Sequence, residues 1–292
     1  MQAIESAELS LAAFKERAGF PSARRWIRKP RRDISHALMT AYWANFISSE
    51  YGGEGHKALE RRFVQGSTCW DSDDPVYSNV WLGYLRGRHV PARILHVVNQ
   101  TLPGANACLN SPLWPLLTDA PTTTKQLHDL MRRLDREIFE LVWDGALRPG
   151  CFKLAVKLER LASLDALAAE ILLLRFSALR GEARAALDWG KYIWRMMLLL
   201  GPCLVEGGIA QALADLLEER IMPMATVRSE RFGFPSGSYV SLVWQYVAAI
   251  YQVLGLPPGT PDERLETTGL DVLNGTVGSA YLWMFNPERK TV

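Results

Sequence analysis

Residues 124–143, TKQLHDLMRRLDREIFELVW, set Leu127, Met131, Leu134, Ile138 and Leu141 at alternating steps of four and three. Side chains at that spacing share one face of a helix, and the charged residues between them fall on the other. The stretch predicts one continuous amphipathic helix ended at Gly145. The same periodicity runs through residues 152–180, 182–200, 204–221 and 238–254, with Gly207-Gly208 read as a joint, whereas period-two alternation is nearly missing. Tandem helices with short Gly/Pro joints predict a mainly α fold of helix-on-helix layers. Trp143, Trp189, Trp194, Trp244 and Trp283 fall in these apolar patterns and are expected in the core.

The proline-rich residues 111–121 interrupt this series. They suggest a basic, multi-helix domain over residues 1–118 and a helical bundle over 119–292. In the first part, residues 2–17 read as an amphipathic helix. Asp33 is placed to cap a helix running to about Glu50, with Leu38, Tyr42, Phe46 and Ile47 on one face and Gly52-Gly53 as its stop. A shorter helix over about 54–65 follows. Asp74-Pro75 combines a good cap with a residue preorganised for the first helical position, so another helix is expected there. It would turn Val76, Val80, Trp81, Tyr84 and Leu85 inward and Ser78, Asn79, Leu82 and Arg86 outward. Gly87 fits the left-handed position past a helix end, and Pro91 opens the next helix.

Net charge is only +2, but the charge is unevenly spread. Arg24, Arg25, Arg28, Lys29, Arg31 and Arg32 follow one another without an acid, around Trp26, while residues 101–292 are slightly acidic. Positive potential in the first third would draw an anionic partner, either a phosphate backbone or an acidic protein.

Residues 77–104, YSNVWLGYLRGRHVPARILHVVNQTLPG, give a short helix, a glycine stop, a proline restart and a second helix. This order resembles the second half of a helix-turn-helix DNA-binding domain of the phage-repressor (Cro/C1) type. The resemblance implies a polar helix face in the major groove, with neighbouring groups on phosphates. Ser78, Asn79 and Arg86 then face base edges, and Arg88 and Arg93 face the backbone. The segment from Gly66 to Asp74 is longer than the family's tight turn and brings in Asp71, Asp73 and Asp74.

Other chemistry finds little support. Cys69, Cys108, Cys151 and Cys203 are widely scattered, and His36, His56, His89, His96 and His128 lack zinc-site spacing. Reduced cysteines, no metal and no cofactor are expected. Asp71-Ser72-Asp73-Asp74 lacks the distal glutamate of a calcium loop. There is no phosphate loop, nucleophile elbow or dinucleotide fingerprint. Residues 1–10 carry acids and do not read as a secretory leader. Residues 192–205 and 239–256 are too short or too often interrupted to span a bilayer. The expectation is a cytoplasmic, bacterial, non-enzymatic DNA-associated regulator or adaptor that meets double-stranded DNA through its N-terminal third. The C-terminal helices, including the apolar residues 281–287, would bind a protein partner or a second copy. The alternatives are a protein-interaction subunit without DNA contact and an enzyme whose site no motif reveals.

Overall fold

The computed structural model describes residues 33–64, 68–71, 74–77, 79–119, 121–146, 152–227, 230–234, 238–277, 285 and 288–291. The helix expected over 2–17, the basic run over 24–32, Ser78 and Trp283 lie outside them. Helices dominate the described residues, so the chain is mainly α.

Asp33 caps α1 (Ile34–Glu50), its Oδ1 accepting from Ser35 N at 2.9 Å, and Gly52 and Gly53 follow with positive φ. Helix α1 is buried on two sides. Ile34, Leu38 and Ala41 join the larger apolar core, and Trp43, Ala44 and Ile47 join a smaller one. The smaller core gathers Leu59 and Phe63 of α2 (His56–Phe63), Trp81 and Tyr84 of α3 (Val80–Leu85), and Ile94 and Val98 of α4 (Ala92–Thr101). Its centre is aromatic: Phe63 stacks on Trp81 at 5.4 Å, and Trp43 tilts against Trp81 at 5.6 Å.

One expected helix start is a strand instead. Thr68–Asp71 (β1) and Asp74–Tyr77 (β2) form an antiparallel hairpin, with Asp71 opposite Asp74 and Trp70 opposite Pro75. A two-stranded hairpin consists only of edges, where proline's missing N–H is tolerated. Helix α3 begins only at Val80, whose N–H donates to Glu60 Oε1 of α2 at 3.2 Å. A carboxylate from another helix, not Asp74, satisfies that end.

After the short α5 (Ala107–Asn110) and α6 (Leu113–Leu116) comes the bundle. The helix expected over 124–143 is two: α7 (Thr124–Met131), opened by a Thr123–Gln126 capping box, and α8 (Arg136–Ala146). Leu127, Met131, Leu134 and Ile138 are all buried, so the apolar face survives the break. Asp135 makes the break, because its Oδ1 accepts from Glu137 N and its own N–H donates to Asp165 Oδ2, both at 2.9 Å. Residues 152–180 divide likewise into α9 (Phe152–Leu161) and α10 (Leu164–Leu179), with Ala162 at φ 35° and Ser163 capping α10.

Helix α10 is the axis of the bundle. It is buried without interruption from Ala166 to Ser177 and packs on α6, α7, α8, α9 and α11 (Ala183–Glu206). A helix buried on every side belongs at a core centre, and this one takes Glu170 and Arg175 inside with it. Helix α11 runs past the expected end at Leu200 and through Pro202, then stops before Gly207-Gly208. Tertiary contact carries it onward, since Gly201 lets Val243 approach so closely that a Cβ there would lie 2.6 Å from Val243 Cγ2. Helices α12 (Ala210–Arg220), α13 (Tyr239–Leu254) and α14 (Leu265–Asn274) complete the bundle. Beside it lies a small antiparallel sheet of β3 (Thr226–Val227), β4 (Glu230–Gly233) and β5 (Glu288–Thr291).

Trp189 and Trp194 are buried, but Trp143 is 45 % exposed, which corrects its expected core position. It follows the buried Val142 and lies against the half-buried Phe139, their rings 5.6 Å apart. Of residues 281–287 only Phe285 is described. It is buried in the bundle, and its carbonyl accepts from Trp194 Nε1. Among the described residues no helix is long and apolar enough to cross a membrane.

Candidate nucleic-acid interface

The corner between α3 and α4 is built from its turn outward. Gly87 N donates to Tyr84 O and Arg88 N to Gly83 O, both at 2.8 Å. This is the paired C-terminal closure that a left-handed glycine permits, and Gly87 has φ 79°. Gly87 also packs on α1, where a Cβ would meet Ala37 O at 2.7 Å. The Arg88 stem lies over Gly83, whose own Cβ would be 3.1 Å from Arg88 Cδ. Pro91 precedes α4 in extended conformation. Asn106 braces that helix at Leu95, accepting from Trp43 Nε1 and donating to Leu95 O, both at 3.0 Å.

The residues singled out for DNA do not share one helical face. Helix α3 has only six residues, with Trp81 and Tyr84 buried and the rest half-buried. Asn79 precedes it in left-handed conformation (φ 52°, ψ 26°), and Arg86 follows it, so the two flank opposite ends. Both are exposed, as are Arg88 and Arg93. Burial pushes the Tyr84 phenol up, and Arg88 and then Arg93 pull it back, so both guanidinium groups act on one hydroxyl. Arg24, Arg25, Arg28, Lys29, Arg31, Arg32 and Ser78 lie outside the described residues.

Helix α4 supplies what α3 lacks. Ile94 and Val98 face the core, while Arg93, His96, Asn99 and Gln100 are exposed. Gln100 Nε2 meets His96 Nε2 at 2.9 Å, which ties one end of the Gln100 amide to the imidazole. The sequence reading did not assign His96, Asn99 and Gln100 to this surface. Their signal was a polar series opposite the Ile94/Val98 stripe, inside a stretch with no acid between Asp74 and Asp119. The nearest helix, α2, also carries exposed Lys57, Arg61 and Arg62. Its one acid, Glu60, is buried as the cap of Val80, and Glu54 just before it pairs with Arg62 at 3.1 Å. Arginine side chains donate to phosphate oxygens, and Asn, Gln and His match base edges.

A cleft of about 440 Å³ among α5, α8 and α10 is lined by Asp135, Glu137, Asp165, Ser111 and Cys108. Asp165 accepts from Ser111 Oγ at 2.6 Å and from Asp135 N at 2.9 Å, and Asp135 caps α8. Both acids are thereby engaged at helix ends. Burial raises the Cys108 thiol to about 12, far from the thiolate that chemistry requires. Among the described residues no group of three His, Cys, Asp or Glu side chains is arranged to hold a metal ion.

No protein-family model, curated protein or solved structure matches this chain.

Proposed function

We propose that this protein is a non-enzymatic, DNA-associated adaptor or regulator of the bacterial cytoplasm, with the α3–α4 corner as its contact surface. The observation that carries this reading is the exposed face of α4. Arg93, His96, Asn99 and Gln100 stand there with Arg88 at the approach, in a stretch of chain free of carboxylates from Asp74 to Asp119. Arg86, Arg88 and Arg93 act on phosphates and fix position, and the amides and imidazole of α4 meet base edges. The basic run ending at Arg32 enters immediately before α1 and adds sequence-independent attraction.

Fluorescence anisotropy with a labelled mixed-sequence duplex tests it. Binding at low ionic strength that falls linearly as log K against log salt is expected, because each neutralised phosphate releases counterions. Absence of salt-sensitive binding sinks the proposal.

A second reading, as a protein-interaction subunit, draws on a different surface. Trp143 and Leu179 are 45 % and 49 % exposed, and His128 links Trp143 to Phe176 through ring contacts at 6.4 and 5.0 Å. Exposed aromatics of this kind anchor protein partners. Capture of partners from native lysate with and without nuclease separates the two, since only DNA-mediated capture disappears on digestion.

A further inference from the structure

Two carboxylates and one guanidinium act on one another within the bundle, so the charges do not balance. Glu159 of α9 is buried and takes a bidentate pair from Arg195 of α11, Nε to Oε1 at 2.5 Å and Nη2 to Oε2 at 2.9 Å. The same guanidinium donates to Leu273 O at 2.8 Å and to Asn274 Oδ1 at 2.7 Å. Arg195 is thus committed to one carboxylate and to the end of α14. Glu170, on the central helix α10, is fully buried, and neither of its carboxyl oxygens has a hydrogen-bond partner.

One arginine cannot neutralise two buried carboxylates. An ionised carboxylate in the interior without partners is far costlier than the neutral acid. Burial therefore pushes Glu170 well up, Glu159 pushes the same way, and Arg195 opposes them. The other charged groups around Glu170 are turned elsewhere: Lys153, Lys157 and Arg160 of α9 and Arg184 and Glu206 of α11 are exposed, Lys191 of α11 pairs with Asp188, and Arg175 of α10 donates to the carbonyls of Leu116, Thr118 and Pro121. Helix α6 carries no titratable side chain, His128 of α7 faces Phe176 instead, and Arg136, Glu137 and Glu140 of α8 are exposed. From α11, Tyr192 feels both Glu159 and Glu170, and from α13 the buried Tyr246 hydroxyl feels Arg195 and Glu159.

We propose that Glu170 is a proton-sensing residue: closing α10 against α9 and α11 takes up one proton at its carboxyl, and losing that proton loosens the bundle. In the unfolded chain the side chain ionises near the ordinary glutamate value of about 4.3. In the folded chain it stays neutral far above that, so unfolding releases a proton in the window between. The contribution of Glu170 is intact below the unfolded value and is lost progressively as pH rises towards the folded one. Its signature is a folding equilibrium constant that falls by up to about tenfold per pH unit above about pH 5.

The test is denaturant unfolding of the whole chain from pH 4 to pH 9 for wild type, Glu170→Gln and Glu170→Met. Both replacements are expected to remove this fall and to be at least about tenfold more stable than wild type at pH 8. A protonated-carboxyl infrared band present at neutral pH in wild type and missing in Glu170→Gln gives an independent readout. Parallel pH–stability curves for wild type and Glu170→Gln overturn the proposal. So does failure of both neutral replacements to fold, since that would show the carboxylate itself is needed.

Discussion

Arg220, the last residue of α12, reaches back to Asp33 at the start of α1, placing Nη1 2.8 Å from Oδ2. The same nitrogen donates to Leu117 O at 3.1 Å, while the other Asp33 oxygen caps Ser35 N. One carboxylate thus closes a helix and ties it to the bundle. Burial works against its charge, but the Arg220 and Ser35 hydrogen bonds outweigh burial and hold Asp33 below its usual range. A depressed carboxylate stabilises above its unfolded value, and the gain is lost as pH falls through the folded one. Asp33→Ala should destabilise by about 1–3 kcal/mol at pH 7, through the lost cap and the charged hydrogen bond. Asp33→Asn should lose less, and its gap from wild type should narrow as pH falls below the ordinary aspartate value of about 3.9 in denaturant titrations.

Gly87 and Gly52 both have positive φ, yet they should respond differently to alanine. At Gly52 nothing lies within 4 Å of an added Cβ, so Gly52→Ala carries only left-handed strain, about 1–2 kcal/mol. At Gly87 the methyl meets Ala37 O at 2.7 Å and Ala37 Cβ at 2.8 Å, adding overpacking of about 1–3 kcal/mol. Thermal melts of the two variants compare them directly, and equal losses would mean that α3 and α1 are not held this closely.

Arg175 of α10 is buried and holds the chain before α7, donating to Leu116 O and Thr118 O at 2.8 Å and Pro121 O at 3.2 Å. Removing it leaves those carbonyls short of donors. Arg175→Met should cost about 3–5 kcal/mol. Lysine carries a point charge and no planar fork, so Arg175→Lys should recover only part of this. Hydrogen exchange localised to residues 113–131 would show where the loss acts.

On the α3–α4 corner, phosphate and base contacts should separate. Arg88→Ala and Arg93→Ala are expected to weaken DNA binding alike on all sequences, each reducing the salt slope by about one. Gln100→Ala should cost about 1–3 kcal/mol on a selected site and little on random duplex. His96→Ala frees the Gln100 amide from its 2.9 Å partner and should relax the preference at the same base. Asn79→Ala should change neither, because Asn79 stands in the left-handed position before α3 and not on α4. Anisotropy titrations on selected and random duplexes decide between these patterns.

Local rules made the helices legible. Asp33 before α1, Gly87 after α3, Pro91 before α4 and the stripe of Leu127, Met131, Leu134 and Ile138 follow from capping, backbone freedom and helical period, which neighbouring residues determine. The mainly α fold rests on these signals. What remained illegible depends on distant partners. Asp74-Pro75 has the chemistry of a helix start, but pairing with residues 68–71 makes it a strand, and Glu60 takes over the cap at Val80. Asp165 turns one predicted helix into α7 and α8 by holding Asp135 N from a different helix. The same holds for charge, since sequence cannot say that Arg195 serves Glu159 and leaves Glu170 alone. Periodicity places a residue on a face; only the packing of helices far apart in sequence decides what that face meets.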